Sequence, residues 1–117
     1  MSYVMGFVLP VPTANKDQYR EMAAKASPIF KEYGALQHVE AWGDDIPDGK
    51  VTDFKMAVKA RPDETVVFSW LVWPDKATYE AAQKKIMTDE RMKGLEMPFD
   101  ARRMIIGGFS TLLETKA

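Results

Sequence analysis

Cysteine is absent from the 117 residues, and histidine occurs once. No disulfide, thiolate nucleophile or sulfur-ligated metal can therefore form, and one imidazole cannot assemble the usual transition-metal ligand sets. No structural metal and no resident cofactor are expected. An excess of charge is also missing, with 16 Lys and Arg against 17 Asp and Glu. Nucleic-acid binders carry a basic face or stripe, so no nucleic-acid partner is expected. Long apolar runs are missing too. The opening MSYVMGFVLPVP has no basic flank and is broken by Pro10 and Pro12. It reads as neither a signal peptide nor a membrane span, which makes the cytoplasm the simplest location. No repeat, low-complexity tract or linker divides the chain, so residues 1–117 are read as a single domain.

What is present is the composition of a folded domain, 46% hydrophobic and 28% charged. A chain this short has a thin core, so association is a natural source of further burial. Residues Tyr3 to Val11 are rich in β-branched and aromatic side chains and read as a strand. Thr13 and Asn15 offer N-cap oxygens to a helix running to about Tyr33, with Gly34 as its stop. Tyr19, Met22, Ala23, Ala26, Phe30 and Tyr33 share one face of that helix, and Pro28 should bend it. Leu36 to Trp42 reads as a second strand, and Gly43 to Lys50 as a loop. Val51 to Ala60 is ambiguous between a helical turn and an extended piece. TVVFSWLVW, Thr65 to Trp73, is the clearest strand. Pro74 and Asp75 open a second helix with Tyr79, Ala82, Ile86 and Met87 inward. The kinked tail DERMKGLEMPFD leads to a last strand, Arg102 to Leu113.

This β-α-β-β-α-β order is the ferredoxin-like arrangement, an α+β fold whose antiparallel sheet carries both helices on one face. Such sheets often leave the other face wet and polar. Here both faces are apolar. Val66, Phe68, Trp70 and Val72 point one way, and Val67, Leu71 and Trp73 the other; the first and last strands behave alike. Helices can cover only one face, so a homodimer is expected in which a second sheet covers the other.

The stretches YVMGFVLPVP, YREMAAKASPIFKEYGAL, DIPDGKVTDFKMAVKA, ETVVFSWLVWP and MPFDARRMIIGGF resemble the YbaA-like family of bacterial proteins, a family of unknown function. The likeness spans nearly the whole chain. It implies a ferredoxin-like protomer of the dimeric α+β barrel group and carries no activity and no catalytic residues. Ala101 and Ile106 stand where that pattern has Gly and Tyr, so no role for that tyrosine carries over.

Few residues invite chemistry. His38 shares a strand face with Leu36, Glu40 and Trp42, and a histidine beside a carboxylate can serve as a general acid or base; the plain alternative is an edge-strand residue that is hydrogen-bonded or solvated. Asp44, Asp45 and Asp48 miss the calcium-loop spacing, and Lys55 stands where its final Glu belongs. Gly49-Lys50 comes one residue late for a phosphate loop, with Val51 in place of Ser or Thr. Gly108-Phe109-Ser110 lacks the second glycine of a nucleophile elbow. Trp42, Trp70 and Trp73 read first as core or interface anchors and second as pocket walls. Arg102 and Arg103, on a strand, would point to opposite faces. Either could bind an anion or, more simply, pair with Asp100 or Glu40.

The candidate ligand-binding set is therefore His38, Glu40, Trp70, Arg102 and Arg103. The expected site lies on one protomer, between sheet and helices or at the open mouth near the first helix. It includes His38, Trp70 and one arginine. Two functions compete: a small-molecule binder or enzyme, oxygenase-like by fold analogy alone, and a non-catalytic dimeric interaction module.

Overall fold

A computed structural model describes residues 2–117. The chain forms β1 (Tyr3–Pro12), α1 (Lys16–Glu32), β2 (Gln37–Trp42), α2 (Phe54–Ala57), β3 (Glu64–Trp73), α3 (Lys76–Thr88), α4 (Glu90–Lys93) and β4 (Ile105–Ser110). The strands make one antiparallel sheet in the order β2-β3-β1-β4. This is an α+β fold.

Register fixes which side chains share a face. Met5 pairs with Leu71, Phe7 with Ser69 and Leu9 with Val67 across β1 and β3. His38, Glu40 and Trp42 of β2 pair with Leu71, Ser69 and Val67 in turn. Side chains alternate along a strand, so all of these lie on one face. The two long helices cover it. Ala82 of α3 joins Met5, Leu71 and Trp73 in one cluster, with Phe30, Tyr33 and Tyr79 packed on it. Tyr19 of α1 joins Leu9, Val11 and Val67 in another. Phe7 touches both clusters. Between them runs the row Phe7, Ser69 and Glu40.

The other face carries Val4, Gly6 and Val8 against Val72, Trp70 and Phe68, continued by Val39 and Ala41 on one side and Phe109 on the other. At one end α2 reaches it, where the Phe54 ring meets Phe68 edge-on at 6.2 Å. The rest is open, with Phe68, Ile105 and Phe109 exposed.

Several local expectations change. The ambiguous stretch 51–60 is a helical turn because the Asp53 side chain caps it, accepting from Met56 N–H at 2.6 Å. Asn15 does not cap α1 through its side chain. Its Nδ2 donates instead to the Pro98 carbonyl at 3.0 Å, tying the helix start to the tail. As expected, α1 contains Pro28 and Gly34 ends it at φ 110°, a conformation that glycine tolerates. Asp75, as expected, starts α3 by accepting from Thr78 N–H at 2.7 Å. Ile29 is buried and was not counted among the inward residues, whereas Met87 is exposed. The last strand is shorter than Arg102 to Leu113: residues 101–103 form a 3-10 turn because Asp100 accepts from Arg102 N–H at 3.1 Å. Strand alternation therefore does not govern the two arginines.

Candidate functional site

Glu40 is the centre of the polar row. Tyr19 Oη on α1 donates to its Oε1 at 2.6 Å. Ser69 Oγ on β3 donates to Oε2 at 2.8 Å, and His38 Nε2 meets the same oxygen at 2.6 Å. A carboxylate accepts, so Nε2 carries a hydrogen, and in the neutral imidazole the lone pair is then on Nδ1. The His38 side chain is 7% exposed and that of Glu40 26%. Burial, then the neighbouring Glu40 charge, pushes the Tyr19 hydroxyl far above the ordinary phenol range, keeping it a donor. Phe30 stands edge-on to the imidazole at 5.3 Å.

Two chambers flank this group and share Tyr19, Ala23, His38 and Glu40 as walls. One, about 170 Å³ and partly open, is lined by Phe7, Phe30, Met92, Leu95, Met97, Phe99 and Met104 and has no Lys or Arg in its lining. The other, about 270 Å³, lies beneath Lys16, Arg20 and Trp42, with the Lys16 ammonium 5.4 Å from the Trp42 ring. The methionine-rich wall is pinned at both ends. Tyr33 Oη donates to Asp89, and Arg91 bridges Asp89 and Glu32. Arg91, then Tyr33, holds the Asp89 carboxyl well below the usual range. Asn15 fastens the far end at Pro98.

The five residues singled out in the sequence do not make one constellation. His38 and Glu40 come together as parity implied. Trp70 lies on the opposite face, packed on Phe68 at 5.5 Å, because Trp70 pairs with Val39 rather than with His38. Arg103 is committed elsewhere. Its guanidinium makes two 2.6 Å hydrogen bonds to Glu64, another of 3.2 Å to Asp100 and one of 2.9 Å to the Lys59 carbonyl. Arg102 is exposed and pairs with Asp100. The pairing with Asp100 was the simpler expectation; Glu64 as the main partner was not foreseen. Tyr19 and Ser69 were missed as polar partners. Tyr19 looked like one more apolar position of α1, while Ser69 is visible as the hydroxyl in the middle of TVVFSWLVW. In the acidic loop Asp48 pairs with Lys55 at 2.9 Å, and Asp53 serves its cap. Among the described residues no cluster of three or more His, Asp or Glu is placed to hold a metal ion, and no helix is long and apolar enough to cross a membrane.

Comparison with known proteins adds kinship. The uncharacterised protein YbaA of Escherichia coli (strain K12) is 60% identical over 116 residues, covering 97% of this chain and 99% of that one. The proteins of the same name from Escherichia coli O157:H7 and Shigella flexneri match to the same extent. A family model described as a protein of unknown function (DUF1428) matches residues 2–101. The chain belongs to this DUF1428 family, in which the YbaA-like resemblance of its motifs finds its place.

Proposed function

We propose that the chain is a small-molecule-binding protein that works as a homodimer, each protomer holding its ligand between the sheet and α1. The observation that carries the reading is Glu40 with its three hydrogen-bond partners between two chambers. Structural polar groups under a helix are normally sealed by their neighbours. This one borders open volume of ligand size, lined by apolar side chains with a few convergent polar atoms. The strand order β2-β3-β1-β4, with α1 and α3 on one face, supports a ferredoxin-like protomer. Its uncovered face is apolar apart from Gln37 at the β2 edge and Glu64 at the end of β3 that Arg103 covers, which supports a second copy closing on it as a dimeric α+β barrel. An oxygenase-like activity rests on fold analogy alone and gains no residue from this site. A purely interactive module would have no use for the chambers.

The chamber of about 170 Å³ is close to the 150 Å³ known to hold one benzene ring. Nitrobenzene, uncharged and monocyclic, should therefore raise the melting temperature of the wild type. Ala26 is buried and lines that chamber, so Ala26→Leu fills it from within. The variant should stay folded and no longer respond to nitrobenzene. A wild type indifferent to nitrobenzene, or a variant that responds equally, would remove the proposed binding site.

A further inference from the structure

We propose that the methionine-walled chamber takes a monocyclic phenol or enol and that His38 Nδ1 accepts the proton of its hydroxyl, Glu40 holding the imidazole from the other side; this rests on the small-molecule reading above. Three observations converge on it. First, the imidazole is oriented. Its Nε2 is spent on Glu40 Oε2 at 2.6 Å, and Phe30 fixes the ring edge-on. A carboxylate behind a histidine sets its tautomer and stabilises the imidazolium formed on protonation, the division of labour of a general-base dyad. Second, Nδ1 is available. It has no hydrogen-bond partner among the described residues, and the one sealed, unpartnered polar side-chain atom among them is Trp73 Nε1, not Nδ1. His38 lines both chambers, and we assign its unpartnered Nδ1 to the methionine-walled one.

Third, the chamber selects charge and shape. Its lining offers aromatic rings and thioethers and no Lys or Arg. An anion entering as such would lose hydration and face the Glu40 carboxylate with no cation to meet it. A neutral ring with one weakly acidic hydroxyl fits instead. The step balances within the pair. The ligand O–H bond breaks, its electron pair stays on oxygen, and Nδ1–H forms while Nε2–H remains on Glu40. The titratable and charged groups around the imidazole are Glu40 on β2 and Tyr19, Lys16 and Arg20 on α1; β1 and β3 contribute none to the chambers. Tyr19 and Ser69 are positioning residues, since both touch Glu40.

The probe is 4-nitrophenol, whose ionisation is visible, with nitrobenzene as its hydroxyl-free control. Bound to the wild type, 4-nitrophenol should ionise at least about one pH unit lower than when free, because an imidazolium lies against its oxygen. In His38→Gln the neutral compound should still bind, within about threefold, and ionise at the pH of the free compound. In Glu40→Gln, which serves also if the first variant does not fold, part of the shift should be lost. If nitrobenzene and 4-nitrophenol bind equally and ionisation does not move, the chamber is a binding site and the base is lost from the proposal. An unchanged shift in His38→Gln or in Glu40→Gln would likewise overturn it. If neither compound binds, both this proposal and the small-molecule reading fall.

Discussion

On the helix-covered face of β3, Val67, Leu71 and Trp73 are 1%, 0% and 0% exposed, while on its other face Phe68 is 45% exposed and Trp70 only half-buried. The two faces are built from the same apolar vocabulary. They differ in where the polar residues are. An antiparallel sheet with one covered face normally turns its polar side chains outward. Here His38, Glu40 and Ser69 lie on the helix side, Ser69 buried, His38 partly buried and Glu40 reaching solvent at the edge strand, and the uncovered strand positions are Val, Ala, Gly, Trp, Phe and Ile, with Gln37 at the edge. The inversion teaches two things. The apolar uncovered face is what the homodimer proposal uses, and the polar row on the helix side is what the ligand-site proposal uses.

The widest separation between the faces should appear on truncation. Leu71→Ala removes a fully buried side chain from the cluster of Met5, Trp73 and Ala82. It should cost about 2–5 kcal/mol, the range for a core leucine left as a cavity. Phe68→Ala in dilute protein should cost less than about 1 kcal/mol, as for an exposed position. Denaturant unfolding of both checks this. A Leu71→Ala cost no larger than that of Phe68→Ala would mean that the helices do not seal the sheet.

A second test concerns the one end of the open face that is covered. There Arg103 joins Glu64, Asp100 and the Lys59 carbonyl, fastening the chain before β4 to the segment after α2. Arg103, through its hydrogen bonds, holds the Glu64 carboxyl below its ordinary 4.5. Arg102, then its backbone N–H, and Arg103 beyond them hold that of Asp100 down to about 2. A carboxyl with a lowered folded value contributes stability that is complete above the unfolded value and is lost as pH falls through the folded one. Glu64→Gln should therefore be less stable than wild type near neutral pH, with the gap narrowing below about pH 4.5. A gap that widened in acid would show that the ion pair does not stabilise this end. Asp100, still charged until about pH 2, keeps the Arg102 side of the network closed longest.

The fold was legible because its signals are local and repeated. The nine residues of TVVFSWLVW, the helical spacing from Tyr19 to Tyr33, and Asp75 before α3 each name an element by themselves. The site was legible by half. Parity along β2 puts His38 beside Glu40, but the partners arrive from α1 and β3 through a register that no single strand encodes. Trp70 went to the wrong face for the same reason, since the pairing of β2 with β3 sets Leu71, not Trp70, opposite His38. Arg102 and Arg103 were misplaced because one Asp100 hydrogen bond turned an expected strand into a 3-10 turn.

The finest comparison uses one substitution at two places on one strand. Val→Thr keeps the shape and adds a hydroxyl, so its cost reports whether the site is dry. At Val67, between Leu9 and Trp42 under α1, the hydroxyl lacks water and should cost about 1–3 kcal/mol. Val72 is the mirror position, between Val4 and Gln37 on the open face. In a single chain its hydroxyl meets solvent and should change stability by no more than about 0.5 kcal/mol. A second copy on this face dries Val72, so above the dissociation constant the two variants should approach each other. Because dimer stability depends on concentration, dilution should then restore the difference, the Val72→Thr cost shrinking while that of Val67→Thr holds. Light scattering on the same samples should report about twice the 13.3 kDa chain mass at the concentrated end. A Val72→Thr cost that stays near zero at every concentration, with the mass of one chain throughout, would leave the apolar face open to water and remove the homodimer from the proposal.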